Sequence, residues 1–313
     1  MTTAEANVSR TRAWLMAARP QTLPAAVAPV LVGTGLALHE HVFDLLPALF
    51  ALLGAALIQV GTNFANDYYD AKRGADADRR DGFTRVTQSG LIPPRRVKFA
   101  TAVTFGLAIL TGTYLVYVGG LPIVVIGLVS VLCGWAYTGG PYPLGYHGLG
   151  ELFVFVFFGL VAVAGTFYVQ AAATLAEPLA LTVPPGTLTV DAVVAGIPMA
   201  CLASAILVVN NLRDIETDAA AGKRTLAVRF GEQFSRYEYA LLLAVAYVVP
   251  FWFWLDPDFM VLVLAPLLTL PHAVLLTRYL WRSEGSELNW VLERTGLLLT
   301  LYAICFAGGL IVA

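Results

Sequence analysis

The chain has 313 residues, 19 Lys+Arg against 21 Asp+Glu, and a formal net charge of −2. Hydrophobic residues make up 58% and charged ones 13%, whereas soluble domains carry about 25% charged residues. So few charges cannot cover a soluble protein of this size, which excludes a typical soluble enzyme, a disordered chain and a basic nucleic-acid binder.

A mean hydropathy of +0.74 points to an all-α polytopic membrane protein, because the apolar runs are near 20 residues and lack the alternation of barrel strands. Met1–Thr11 is polar, without an apolar core and cleavage site, and reads as a tail (1–11) on a single integral-membrane domain, 1–313. Nine spans are expected, at 20–38, 45–66, 97–118, 121–138, 151–173, 191–211, 238–255, 259–281 and 290–312. The fourth has the least support, because Gly119-Gly120 and Pro122 leave little loop before it. Cys133, Cys201 and Cys305 each sit inside an apolar run and read as packing residues.

The positive charges fix an expected orientation. Arg10, Arg12 and Arg19 precede the first span, and eight basic residues from Lys72 to Lys98 lie between the second and third. Five from Arg213 to Arg236 follow the sixth, and Arg278, Arg282 and Arg294 flank the last loop. With nine spans, every Lys and Arg falls on one side, which the positive-inside rule makes cytoplasmic. The N-terminus and charged loops are then cytoplasmic and the C-terminus outside, in a cell membrane.

Two charged segments exceed what topology requires. The first begins at the end of span two: Asn63, Asn66, Asp67 and Asp70 are three or four residues apart and share a helical face, followed by Lys72, Arg73, Asp76, Arg79, Arg80 and Arg85. The second begins at the end of span six: Asn210, Asp214 and Asp218 are four apart, with Arg213, Lys223, Arg224 and Arg229 around them. Asp67 and Asp214 occupy matching places about half the chain apart, which suggests two halves facing each other across a bundle.

Carboxylates on one face near hydrocarbon depth repel one another and are costly to bury. Mg²⁺ relieves that cost, since it takes oxygen ligands from a few carboxylates plus substrate phosphates. Neighbouring Arg and Lys suit phosphate oxygens. Together they read as a metal–diphosphate site opening into an apolar bundle, for a substrate with a charged head and a greasy tail. The bland reading is interfacial residues that only set topology. A third segment, Tyr137–Glu151, is a Gly- and Pro-shaped turn whose aromatics line an acceptor pocket or form an interfacial belt. His147 in it is a candidate acid–base group, or an incidental interfacial residue.

At these residues the chain resembles the UbiA superfamily of intramembrane prenyltransferases, with Asn66-Asp67-x-x-Asp70 and Asp214-x-x-x-Asp218 as its two motifs. Many members carry a further Asp four residues after the first motif; here Gly74 stands there, with Asp76 two later. That departure resembles the MenA branch, which prenylates 1,4-dihydroxy-2-naphthoate. So do Arg19–Thr34, Tyr137–Glu151 and Asn210–Arg229, a resemblance covering nearly the whole chain. It implies a nine-helix bundle with a central lipid-accessible cavity and Mg²⁺-dependent transfer from polyprenyl diphosphate, with loss of diphosphate and CO₂, giving demethylmenaquinol. It implies Asn66, Asp67, Asp70, Asp214 and Asp218 at the metal, the four aspartates being the catalytic candidates, and Asp76 as a weaker metal candidate. Lys72, Arg73, Arg213 and Lys223 are implied on the diphosphate, with Asn63, Asn210 and Tyr137 as further substrate contacts. Asp67, Asp76 and His147 stay open as the proton acceptor. The alternatives are a sibling enzyme using 4-hydroxybenzoate, homogentisate, haem or a naphthoquinol, and a lipid-binding or transport protein. Magnesium-dependent diphosphate release separates these classes.

Overall fold

The computed structural model describes residues 8–73 and 85–312. Among the described residues every regular element is helical. Seven helices are long and apolar enough to cross a membrane, and a bent pair, Arg10–Thr22 with Pro24–His39, makes an eighth if counted as one span. The helices are α1 (Arg10–Ala18), α2 (Pro24–His39), α3 (Leu45–Arg73), α4 (Pro94–Ala136), α5 (Gly150–Leu175), α6 (Val190–Arg213) and the short α7 (Ile215–Ala220). Then follow α8 (Leu226–Trp254), α9 (Val261–Leu280) and α10 (Gly285–Val312).

The expected third span and all but the last two residues of the fourth lie within the 43 residues of α4. A straight helix of that length is about 65 Å long, roughly twice a bilayer's hydrocarbon core. It breaks at Gly120, where φ 66° and ψ −155° fall in a region open essentially to glycine alone. The freed backbone groups find partners. Leu121 N–H donates to Ala180 O at 2.8 Å, Leu179 N–H to Tyr117 O at 2.9 Å, and the Tyr168 hydroxyl to Gly119 O at 2.6 Å. Gly119 and Gly120 are buried, where backbone groups require such partners.

The bend between α1 and α2 also has a local cause. Arg19 precedes Pro20, which disfavours the helical region at the preceding residue, and Arg19 takes φ 53°. The Asn63 amide clamps the bend, donating to Ala18 O and Thr22 Oγ1 at 2.9 Å each. Arg19 is thereby presented to the interior of the bundle.

α6 is central: the most enclosed of the seven helices, it packs against α8, α10 and the middle of α5. That middle, Phe155–Val161, is π-helical, and it abuts α6 where a Cβ on Gly159 would lie 2.1 Å from the Ala200 methyl. Outward-facing Phe99, Leu110, Leu132, Leu268 and Trp252 are exposed, as a surface meeting lipid requires.

Gly120→Ala places a Cβ about on top of the Ala180 carbonyl, 1.9 Å away, in a conformation costing roughly 1–3 kcal/mol for a non-glycine residue. We expect a clear drop in the thermal unfolding midpoint of detergent-solubilised protein. An unchanged midpoint would mean that the break is not fixed by this contact.

Candidate functional site

A cavity of about 890 Å³ runs into the bundle between α2, α3, α4, α5, α6 and α10. Most of its wall is apolar, built of small, branched aliphatic and aromatic residues, including Ala55, Gly112, Ile123, Phe153, Phe157 and Phe158. One end is charged, where α3 brings Asn63, Asn66 and Asp70, and the end of α6 with α7 brings Asn210, Arg213, Asp214 and Asp218. Arg19, Arg85, Tyr137, Tyr146 and Lys223 complete that end. The two polar segments read from the sequence, about half a chain apart, therefore face one space.

Each carboxylate there is buried and paired. Asp70 accepts from Arg85 Nη2 at 3.1 Å and from the Tyr146 hydroxyl at 2.9 Å, one on each oxygen. Arg213 forks onto Asp214 with two contacts of 2.8 Å, and also donates to Asn210 Oδ1 (2.8 Å) and Asn289 Oδ1 (2.9 Å). Lys223 Nζ lies 3.3 Å from Asp218 Oδ1. Asn66 Oδ1 accepts from Thr138 at 2.8 Å.

Tyr146 joins the two sides. While its hydroxyl holds Asp70, the Lys223 ammonium sits 4.9 Å from its ring centroid, within cation–π range. Its backbone O accepts from Arg224 N–H at 2.8 Å, and Arg229 reaches His147 O at 2.8 Å. The turn around residues 141–148 is thus fastened to the loop after α7 and to the first turn of α8. Tyr137 lies beside it on the cavity wall.

Other residues singled out in the sequence are placed differently. Asp67 does not line the cavity. Its carboxylate accepts from Val86 N–H (3.1 Å), from Thr87 N–H (3.0 Å) and from the Thr87 hydroxyl, so it clamps the segment returning to α3. Lys72 is exposed and off the cavity wall. His147 stacks on Tyr142 at 3.6 Å, with Nδ1 2.9 Å from Pro143 O; it too is off the wall. The Arg73 side chain, and Gly74, Asp76, Arg79 and Arg80, lie outside the described residues. Two residues absent from the expected site are central to it: Arg85 and Tyr146. Helical spacing gives no signal for either, since their contacts to Asp70 span 15 and 76 residues.

Among the described residues no group of three or more Asp, Glu, His or Cys side chains is gathered closely enough to hold a metal ion. The donor set nevertheless fits a hard divalent cation: Asn66, Asp70, Asp214 and Asp218 offer only oxygen as ligand atoms toward one cavity end, and phosphate oxygens complete such a shell.

Residues 26–308 match the UbiA prenyltransferase family. The chain belongs to that family. A 1,4-dihydroxy-2-naphthoate octaprenyltransferase of Mycobacterium tuberculosis is 42% identical over 300 residues, spanning 95% of this chain and 96% of the relative. One from Escherichia coli is 39% identical over 320 residues, spanning 95% and 94%. Among solved structures, a UbiA homolog from Archaeoglobus fulgidus bound to GPP and Mg²⁺ superposes with a TM-score of 0.66 at 19% identity, covering 96% of this chain and all of that one. That likeness shows that the chain has the UbiA fold.

Losing a buried hydrogen-bond partner costs roughly 1–3 kcal/mol. Asp67→Ala should therefore raise hydrogen exchange at the Val86 and Thr87 amides by about tenfold or more. Unchanged protection there would show that another contact anchors the segment.

Proposed function

We propose that this UbiA family member transfers a polyprenyl group from polyprenyl diphosphate to 1,4-dihydroxy-2-naphthoate, releasing diphosphate and CO₂ and forming demethylmenaquinol for menaquinone synthesis. The observation that carries the reading is the meeting of two Asn/Asp helix ends at the charged mouth of one apolar cavity, in a chain alike over nearly its full length to enzymes named for that acceptor. It is an enzyme of the membrane, acting where a greasy tail and a charged head are held together.

Asn66, Asp70, Asp214 and Asp218 are the proposed metal ligands, with Mg²⁺ as the ion; bound there, it would neutralise the charge growing on the leaving diphosphate. Arg19, Arg85 and Lys223 are the cations on the cavity wall best placed to receive phosphate oxygens. Arg213 orders Asp214 and Asn210, since its donors are already committed to them and to Asn289. Phe153, Phe157 and Phe158 line the apolar wall, where ring faces stabilise a developing allylic cation and water is excluded.

The acceptor needs little help. Its hydroxyl ortho to the carboxylated carbon pushes electron density onto that carbon, which attacks prenyl C1 as the C–O bond to diphosphate breaks and the hydroxyl proton is released. The resulting ketone has its carboxylate in the β position. The C–CO₂⁻ bond then breaks, its electrons pass to the carbonyl oxygen, which takes up a proton, and the ring regains aromaticity. No protein side chain has to form a bond to the acceptor.

Nine spans fit the same reading, with α1–α2 as one bent span and α4 as two spans hinged at Gly120, in a single membrane domain. The N-terminus and site are then cytoplasmic and the C-terminus outside. The 43-residue length of α4 and the one-sided distribution of basic residues support it.

With carboxyl-labelled acceptor, one labelled CO₂ and one diphosphate should appear per prenyl group transferred. Label kept in the prenylated product would overturn the decarboxylative route, and preference for 4-hydroxybenzoate would overturn the acceptor. Asp214→Ala should lower the transfer rate by about 10²–10³ or more, as loss of a group that stabilises transition-state charge does. A near-normal rate at limiting Mg²⁺ would remove Asp214 from the site.

A further inference from the structure

The cations at the charged end are not held alike. Arg213 makes four contacts of 2.8–2.9 Å to Asp214, Asn210 and Asn289, and its side chain is 4% exposed. It is built in. Arg85 meets Asp70 at 3.1 Å, and its side chain is 14% exposed at the cavity. Lys223 meets Asp218 at 3.3 Å and is 11% exposed. Both line the cavity, and each carries flexible methylenes behind its charge. One cation on the cavity wall thus meets an acidic residue in each half, Arg85 at Asp70 and Lys223 at Asp218, and Tyr146 touches both pairs.

These pairs compete with a metal ion for the same oxygens. Both oxygens of Asp70 are engaged, by Arg85 and by Tyr146, so an incoming divalent cation either displaces a partner or stands against a guanidinium at contact distance. In a partly enclosed site that repulsion is strong. The same pairs compete with diphosphate, because Arg85 and Lys223 are already neutralised by carboxylates. A metal ion arriving alone takes two carboxylates from their cations. A diphosphate arriving alone takes two cations from their carboxylates. Arriving together, they satisfy all four.

We propose that Arg85 and Lys223 are exchangeable counterions. They hold Asp70 and Asp218 while the site awaits substrate, and pass to the diphosphate oxygens when the metal ion takes over the carboxylates. Each ligand thereby prepares the site for the other, a coupling through the protein's own ion pairs in addition to the direct metal–phosphate contact. The Asp67 clamp on Val86 and Thr87 keeps Arg85 within reach of both partners, which makes Asp67 a positioning residue. The proposal rests on the prenyl-transfer reading only for the identity of the anion.

The test is a calorimetric titration of full-length protein in detergent with Mg²⁺ alone, inorganic diphosphate alone, and both. Direct metal–phosphate attraction gives cooperativity by itself, so the variants decide. Arg85→Gln should bind Mg²⁺ alone about tenfold more tightly and diphosphate alone about tenfold more weakly, a coupling of ordinary size. Shifts of opposite sign support the exchange. Unchanged Mg²⁺ affinity, or both ligands weakened together in a variant that keeps its unfolding temperature, overturns it. Arg85→Lys, which keeps the charge, should stay close to the unsubstituted protein. If Arg85→Gln does not fold, Lys223→Gln carries the same opposite-signed expectation at Asp218. A folded, unsubstituted protein that binds neither ligand in any combination overturns the prenyl-diphosphate reading and the exchange with it. Normal binding without opposite shifts overturns the exchange alone.

Discussion

Three carboxylates enclosed at one end of an apolar bundle set the terms for the rest of the molecule. Charge at that depth is tolerated only when it is neutralised at short range, and Asp70, Asp214 and Asp218 each have a cation within 3.3 Å. The demand reaches far along the chain. It requires α3 and the α6–α7 junction to end at the same level, and the chain after α3 to return so that Arg85 meets Asp70. It also requires the turn around residues 141–148 to lie between the two sides. The clamps that secure these placements are themselves polar and buried: Asn63 on the α1–α2 bend, Asp67 on Val86 and Thr87, and Tyr146 across the middle. Removing any one leaves a desolvated group without its partner, which is why the charged end behaves as one unit.

The transmembrane elements were legible because hydropathy measures what lipid selects. The expected segment 191–211 lies within Val190–Arg213, and 151–173 within Gly150–Leu175. The misfits have a common cause: apolar windows report residence in hydrocarbon and miss helix that continues into polar surroundings. Thus α3 runs on to Arg73, and α8 begins at Leu226, capped by the Thr225 hydroxyl. The Gly119-Gly120-Pro122 sequence that made the fourth span hard to read is the site of the break inside α4, with partners supplied by residues 179–180.

The site was legible where it obeys helical periodicity and illegible where it depends on long-range return of the chain. Asn63, Asn66 and Asp70 face the cavity as their spacing requires. Asp67 shares that spacing yet points its carboxylate to a flanking segment, because adjacent helical positions differ by about 100° and the edge of a face is set by what packs there. Arg85 was one of many basic residues in the sequence; only the fold shows it against Asp70. Tyr146 was one of several aromatics in a turn, and its bridging role follows from two contacts that no local pattern encodes.

The π-helical stretch Phe155–Val161 carries a consequence for which changes of chain length the protein tolerates. A π turn holds an extra residue relative to an α turn, and here that residue lets Gly159 nest on Ala200 while Phe157 and Phe158 still reach the cavity wall. Deleting one residue in this stretch would restore ordinary pitch and change the angular positions of Phe157, Phe158 and Gly159 about the helix axis, so that the cavity wall and the Ala200 contact could no longer both be kept. Substitutions that conserve size are a milder disturbance than a single-residue gap. In this stretch the spacing of residues is under tighter constraint than their chemical identity, the reverse of the rule for surface loops.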